Sequence, residues 1–558
     1  KTEVYSHSVG YCNRCQTMIE PKISLQWFVN TKTMSKAAIE AVTEGNITII
    51  PGRFTKVYLD WMGNIRDWCI SRQLWWGHHI PVWYCQNCGK LTVSVDTPLN
   101  CKYCASRQIK QDPDVLDTWF SSALWTHSTL GWPENTDDFQ YFYPTSVIET
   151  GYDIIFFWIA RMVMMGLEDT GKIPFHTIYL HGLLRDEQGE KMSKLKGNVV
   201  NPITAVAEYG IDALRFALVT GSAPGNDIKL GTGKLKSSRN FVNKLWNTAR
   251  FIMQIMDREK PENLMLLRET NFTAFSRIED RWIYSQLNRL TDNVAKLMEN
   301  FQFGEAAQQI YDFIWTEFCD WYIEIAKIRF RNSQSLSSPL PILLHTLETT
   351  LRLLHPFMPF VTEEIWQNLK HRLPPYQQQM PESIMIALYP TVNNKAIDPN
   401  AEKTMTSIVD IIRSIRNARA QYKVIPSQWI EAQIYSDELT PYINSQLQVI
   451  QKLARARPLT ILPKRRRGKT DSQSLVLVLH NAEVILPWAG LVDISKEKQR
   501  LGNEITASIA IINKMRSRLS DNAFLTKAPA HVIRNEREKL HNLEDKTERL
   551  NSELSQLS

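Results

Sequence analysis

Apolar positions along the 558-residue chain change their spacing several times, and each change predicts a different architecture. In the first third, Val147-Ile148-Glu149-Thr150-Gly151 reads as a strand ending in glycine and Tyr152 to Met165 as an apolar helix. Thr177-Ile178-Tyr179-Leu180-His181-Gly182 then reads as a second buried strand. Strand, helix, strand at this spacing predicts a parallel α/β sheet, whose ligands bind at the carboxyl ends of the strands. Those ends carry Gly151, Asp153, His181 and Gly182. Upstream, a helical stretch from Phe54 leads into Ile70 to Pro81, and Pro81-Val82-Trp83-Tyr84 reads as a strand.

Beyond about Ser237 helical spacing takes over. Residues 239–257, 279–300, 303–329 and 339–369 predict the long helices of a bundle, with aromatic stripes at Trp315/Cys319/Tyr322 and Leu354/Met358 in its core. A small mixed region follows, from about Lys395 to Trp488, with a strand at Leu475–Leu479. At the C-terminus Ile505, Ile512 and Leu519 fall seven apart, as do Ile533 and Leu540, and then Leu543, Leu550 and Leu557. Two heptad helices separated by the short, proline-bearing Asn522–Pro529 predict an antiparallel coiled-coil hairpin in preference to a dimerisation device.

Composition adds constraints. With 43% hydrophobic and 22% charged residues the chain is globular and long enough for several domains. A net charge of +7 permits a polyanionic partner without demanding one. The run Lys464 to Lys469 suits a solvated loop as well as it suits phosphate contact. The longest apolar stretch, Ile154 to Leu167, is broken by Arg161 and too short to span a bilayer, and no signal peptide is present. A cytoplasmic chain that does not act in a membrane is expected. It begins at Lys1 without methionine, which reads as a fragment.

Six of the eight cysteines form Cys-x-x-Cys pairs: Cys12/Cys15, Cys85/Cys88 and Cys101/Cys104. Twelve residues, including Gly89 and Pro98, separate the second pair from the third, so two turn-borne thiolate pairs can converge tetrahedrally on one Zn2+. Disulfides are disfavoured in a reducing compartment. Cys12/Cys15 lacks a nearby partner pair, and whether it holds a metal stays open. A further motif lies in Gly189-Glu-Lys-Met-Ser-Lys-Leu-Lys-Gly-Asn198. Lys191 and Lys194 are mobile point charges on a short flexible loop, suited to closing on a triphosphate, although a solvated basic loop is the simpler reading of these residues alone.

The loop Lys191 to Leu195 resembles the KMSKS signature of class I aminoacyl-tRNA synthetases. Arg66–His78, Asp112–Leu124, Thr220–Asp227, Arg239–Asn247 and Asn522–Pro529 narrow the likeness to the valyl-tRNA synthetases, from residue 1 to residue 558. The resemblance implies activation of valine by ATP with Mg2+, then transfer of the valyl group to the 2′-hydroxyl of tRNA(Val). It places Lys191, Met192, Ser193 and Lys194 at the phosphates, Gly151 and Asp153 at the adenylate ribose, and His181 and Gly182 beside the adenine. Trp119, Ile154 and Trp158 become the valine pocket, and a monomer is expected.

The implied organisation is a return from an editing insertion at 1–53, then the second half of a Rossmann-like catalytic domain at 54–236, with a zinc knuckle at 84–107 and the lysine loop at 189–198. A helical anticodon-binding domain at 237–394, a mixed α/β region at 395–489 and a coiled-coil tRNA-binding hairpin at 490–558 complete it. Two departures matter. The family's His-x-Gly-His tetrapeptide does not occur in this sequence, so an N-terminal catalytic and editing half is an expected partner; Leu195 stands where serine is usual. Two classes therefore remain, part of a valine-activating enzyme or a non-catalytic tRNA-binding protein.

Overall fold

The computed structural model describes residues 7–12, 15–193, 197–259, 277–331, 338–374, 380–463, 474–488, 494–521 and 530–556. The chain divides into two compact units. One comprises Lys1–Asn201, Leu218–Thr232 and Glu299–Glu305; the other comprises Pro202–Ala217, Gly233–Met298 and Ala306–Ser558.

The first unit contains the expected parallel sheet. Phe175–His181 is its central strand, flanked by Thr48–Ile50 and Thr145–Gly151. Ile49, Ile148, Phe175, Ile178 and Leu180 point into a core shared with Ala38, Tyr58, Met62, Met162 and Val163 of the surrounding helices. Each fully buried side chain of this size contributes about 1.5–3 kcal/mol, enough to hold the strand register rigidly. That register sets His181 opposite Gly151, so the functional ends of the two strands are level.

The apolar run after Gly151 is not one uniform helix. Tyr152–Ile154 is a 3-10 turn, Ile155–Ile159 a wide π-type turn, and only Ala160–Thr170 is α-helical, stopped by Gly171 in the left-handed region at φ +69°. Hydrophobic periodicity cannot separate these forms, because isoleucine, phenylalanine or methionine occurs in all three. A separate three-stranded antiparallel sheet, with Val82–Cys85 between Leu91–Val93 and Ile109–Gln111, presents the cysteine turns.

The second unit is mostly helical, with Ile278–Glu299, Leu340–Leu354, Pro359–Arg372 and Pro399–Gln421 among its longer helices. The single helix expected over 339–369 is in fact two. Proline lacks an N–H and clashes with the preceding turn, so Pro356 and Pro359 end one helix and Pro359 starts the next. Cys319, Tyr322, Leu354 and Met358 are core as expected, whereas Trp315 is only half-buried. A mixed four-stranded sheet runs in the order Ala456–Leu462, Ile430–Tyr435, Glu483–Pro487, Ser474–Val478.

Two 27-residue helices, Ile494–Ser520 and Ala530–Gln556, end the chain. Leu501, Ile505, Ile512 and Leu550 are buried along them, and Arg516–Glu544 and Glu504–Lys546 ion pairs join the two. The segment 522–529 and the basic run Lys464 to Lys469 lie outside the described residues. Among the described residues no helix is long and apolar enough to cross a membrane.

Candidate functional site

The strand ends form a floor that backbone packing makes compulsory. A Cβ on Gly182 would lie 1.8 Å from the Asn226 carbonyl oxygen, so only glycine lets the segment 224–227 lie against the strand end. That segment is fastened by the Gly225 N–H donating to the Leu180 carbonyl at 2.7 Å and by Arg53 donating to the Asn226 side chain at 2.8 Å. Gly151 is less restricted, since a Cβ there would meet only side-chain atoms, Asp153 Oδ1 at 2.8 Å and His181 Cε1 at 3.4 Å. His181 is half-buried; its Nδ1–H donates to the Gly182 carbonyl at 2.7 Å, and its Nε2 lies 3.3 Å from Glu149 Oε1.

Asp227 connects this floor to the lysine hairpin. It accepts from Tyr152 Oη at 2.9 Å, from the Leu183 N–H at 2.8 Å and from Arg185 Nε. Burial pushes its carboxyl up, but the Leu183 N–H and the Arg185 and Tyr152 donors outweigh this and hold it below the ordinary value. Arg185 begins the hairpin, and an antiparallel bridge pairs it with Lys191. Asp186 shapes the turn by accepting from the Glu190 N–H at 2.7 Å, while the Asn198 amide donates to its other oxygen at 2.8 Å. Asn198 Oδ1 in turn accepts from the Ser193 N–H at 2.9 Å.

The hairpin brings Lys191 Nζ to 3.6 Å from Asp153 Oδ2, uniting the two polar groups that the sequence placed 38 positions apart. Both are well exposed, so the pair adds little stability and remains free to exchange for a ligand's charges. Met192 and Ser193 follow on the same segment, half-buried; Lys194 lies outside the described residues.

The three proposed pocket residues sit on two adjoining elements. Trp119 belongs to the helix Thr118–Ala123, which Asp117 caps. Trp158 lies in the π turn and donates from Nε1 to the Ser122 carbonyl at 3.1 Å, tying that turn to the Trp119 helix. Ile154 marks the junction between the 3-10 and π turns. All three are half-buried, whereas Ile155 and Ile159 are fully buried, so the structure separates the surface-lining positions from the core ones. Further indole and phenyl packing is provided by Trp125 against Trp158 at 5.8 Å and Phe157 against Trp119 at 5.9 Å.

Cys85, Cys88, Cys101 and Cys104 converge, with all four Sγ atoms within 4.8 Å of one another and the Cys85–Cys104 and Cys88–Cys101 pairs at 3.5 and 3.6 Å. Tetrahedral zinc with bonds of about 2.3 Å requires sulfur separations of about 3.8 Å, so the donor set fits a metal ion of that size. The Cys88 N–H draws the Cys85 thiol down and the Tyr103 N–H does the same for Cys101, whereas the neighbouring thiols push Cys88 up, so the cluster divides between easily and reluctantly ionised thiols.

In each turn the first cysteine's N–H donates five residues ahead, to Lys90 or Ser106, and its carbonyl accepts from Gly89 or Ala105, both at positive φ. Cys12 repeats this geometry with Thr17 and Gln16, at φ +56°. The described residues do not bring a second pair to it.

In the helical unit a cavity of about 450 Å3 is lined by Asn240, Asn243, Lys244 and Asn247 of the helix Thr232–Met256, with Cys319 and Lys327 opposite. Lys244 Nζ lies 3.9 Å from the centre of the Trp315 ring and bonds Asp320 at 2.6 Å. This explains why Trp315 is not core: its face holds a cation.

Three family models match in succession: tRNA synthetases class I (I, L, M and V) over residues 12–231, the anticodon-binding domain of tRNA ligase over 280–434, and the valyl tRNA synthetase tRNA binding arm over 493–558. A valine-tRNA ligase of Dehalococcoides mccartyi is 51% identical over 551 residues, 99% of this chain and 61% of that protein. The chain belongs to the valine-tRNA ligase family. The ligase of Symbiobacterium thermophilum is 46% identical, with 100% of this chain and 62% of the relative covered, and that of Thermotoga maritima is 43% identical at the same coverage. The chain thus spans about three fifths of the length of these valine-tRNA ligases. Among solved structures, Mycobacterium tuberculosis methionyl-tRNA synthetase in complex with methionyl-adenylate has a similar fold, with a TM-score of 0.50 at 17% identity, covering 68% of this chain and 72% of that one.

The sequence alone did not single out Asp227, Tyr152, Arg185, Asp186, Asn198 or Asp117. A turn signal exists in Asp186-Glu-Gln-Gly189, but nothing in spacing links Asp227 to Tyr152, 75 positions away.

Proposed function

We propose that this chain supplies the valine-selecting and phosphate-closing portion of a valine-tRNA ligase, together with its tRNA-binding parts. The observation that carries the reading is the meeting of Lys191 with Asp153 at the level ends of two parallel strands. Asp153, exposed beside Gly151, suits the ribose hydroxyls of an adenylate, and His181 with Gly182 forms an edge for adenine. Lys191 and Lys194, with Met192 and Ser193 between them, close on the phosphates of ATP, whose Mg2+ accompanies it without an assigned protein ligand.

The valine carboxylate attacks the α-phosphate, the bond to the β-phosphate breaks, and pyrophosphate leaves. The lysines stabilise charge that grows on the phosphoryl oxygens. The 2′-hydroxyl of the terminal adenosine of tRNA(Val) then attacks the valyl carbonyl, the acyl–phosphate bond breaks, and AMP leaves with the hydroxyl proton released. Trp119, Ile154 and Trp158 narrow an apolar slot that rejects isoleucine by bulk. Such a slot cannot strongly reject isosteric threonine, a limit for which this synthetase family is itself the standard illustration.

The four-cysteine cluster holds structural zinc, which locks two loops of the small sheet. The Cys12/Cys15 turn holds a second ion only when ligands arrive from outside this chain. The helical unit reads the anticodon arm, and the amide-lined cavity beside Lys244 suits a nucleobase. The last two helices form a coiled-coil hairpin that braces the tRNA. The domain divisions at 53, 236, 394 and 489, a monomeric state and a cytoplasmic location belong to the same reading.

The test is valine-dependent ATP/pyrophosphate exchange. The purified 558-residue chain should show none, because the His-x-Gly-His side of the charge clamp is not in its sequence; joined to the part of the Dehalococcoides mccartyi ligase that it does not cover, it should exchange. Robust exchange by the chain alone, or none by the joined protein, overturns the proposal. The two tRNA-binding family matches favour a second reading, a non-catalytic tRNA binder. It predicts tight, salt-dependent and tRNA(Val)-selective binding without exchange by either form.

A further inference from the structure

We propose that Asp117 is a positioning residue for amino-acid selection, one buried carboxylate fixing both walls of the slot. The inference rests on reading Trp119, Ile154 and Trp158 as that slot. Asp117 is 7% exposed and ends the strand-turn that leads into the Trp119 helix. Its Oδ1 accepts from the Trp119 N–H at 3.5 Å, which sets the first turn of that helix. Its Oδ2 accepts from Trp68 Nε1 at 3.3 Å and from Arg72 Nη2 at 2.9 Å, and lies 3.7 Å from Arg161 Nη1.

Arg161 is the unexpected member. It interrupts an otherwise apolar helix whose neighbours Ile159, Ala160, Met162 and Val163 are all fully buried. Its guanidinium lies 4.0 Å from the centre of the Trp68 ring and 5.7 Å from that of Phe157. Phe157 stacks on Trp119 and precedes Trp158. A charge placed among aromatic faces with one carboxylate as counterion is costly unless that carboxylate stays. The same anion therefore holds Trp119 through its backbone and, by charge alone, attracts Arg161, whose buried Nη1 has no hydrogen bond among the described residues and which follows the Phe157–Trp158 turn on the same run of helix. Ordinary core packing would not need a cation here; leucine or methionine would fill the space.

The experiment uses the chain joined to the part of the Dehalococcoides mccartyi ligase that it does not cover, measuring exchange with valine and with isoleucine. Asp117→Asn removes the anion. Arg161→Gln removes one cation and leaves the Asp117–Arg72 pair intact, so it decides the matter if Asp117→Asn does not fold. In the folded variants KM for valine should rise about tenfold with kcat within about twofold, and the valine-to-isoleucine ratio of kcat/KM should fall at least about fivefold. A purely structural role would lower the amount of active enzyme and scale both amino acids alike, leaving the ratio unchanged. An unchanged ratio in Arg161→Gln overturns the inference alone. Absence of valine activation in the unsubstituted joined protein overturns the functional reading beneath it.

Discussion

The floor of the candidate nucleotide site and the lysine hairpin beside it solve different problems. The floor at Gly151, His181 and Gly182 is fixed by backbone against backbone, with a glycine that no other residue can replace without moving Asn226. The hairpin arms around Asp186 and Lys191 have backbone bonds of their own, from Asp186 N–H to Glu190 and from Met192 N–H to Leu184, but the turn also depends on two polar side chains, Asp186 and Asn198, and carries its lysine in solvent. Between them Asp227 is the only described side chain bonded both to the strand-end turn, through Tyr152, and to the hairpin root, through Arg185. The difference teaches that a site needing both a precise surface and a moving charge separates the two by how their backbones are satisfied.

Four experiments sharpen or break this contrast. Gly182→Ala should be the most damaging, because the added methyl meets a carbonyl rather than a flexible side chain; a loss of about 3 kcal/mol or more in urea unfolding of the first unit is expected. A near-neutral result would mean that the floor is not rigid. Asp227→Asn should cost about 2 kcal/mol, the usual worth of hydrogen bonds to a charged group, and should also loosen the hairpin, visible as faster amide exchange at Lys191.

Asn198→Ala is expected to leave the melting temperature nearly unchanged while speeding amide exchange at Ser193. A large fall in melting temperature would show the hairpin to be as structural as the floor.

Acid should act last and least. The Asn198 amide holds the Asp186 carboxyl below its ordinary value, and Asp227 is depressed in net, so both folded-state values lie under the unfolded ones. Their stabilisation is complete above the ordinary aspartate value of about 4 and is lost as pH falls through the lower folded values. Unfolding followed from pH 5 to pH 2 should therefore steepen below about pH 4, and less so in Asp227→Asn.

The sheet, the level ends of its strands and the cysteine cluster were legible in the sequence because each depends on short-range rules. Strand ends follow from β-branched runs closed by glycine, and thiolate turns from Cys-x-x-Cys. The family likeness supplied Trp119, Ile154 and Trp158, which spacing alone could not distinguish from core. What stayed hidden depends on long-range contacts: Asp227 reaching Tyr152, Asp117 reaching Arg161, and the helix break at Pro356 and Pro359, which a strong apolar pattern overrode. The heptads did locate two terminal helices, but their joining segment lies outside the described residues.

The wide turn at Ile155–Ile159 has a consequence for descent. Its extra residue lies between Ile154, at the end of the 3-10 turn, and Ala160, where ordinary α-helix begins. A lineage that lost one codon here would tighten the turn and swing every upstream position by about 100° around the axis, carrying Ile154 to another face. Loops elsewhere in the gene can gain or lose residues with little penalty. In this short segment the inherited quantity is length, and a single alignment gap there would announce a rearranged turn before any substitution did.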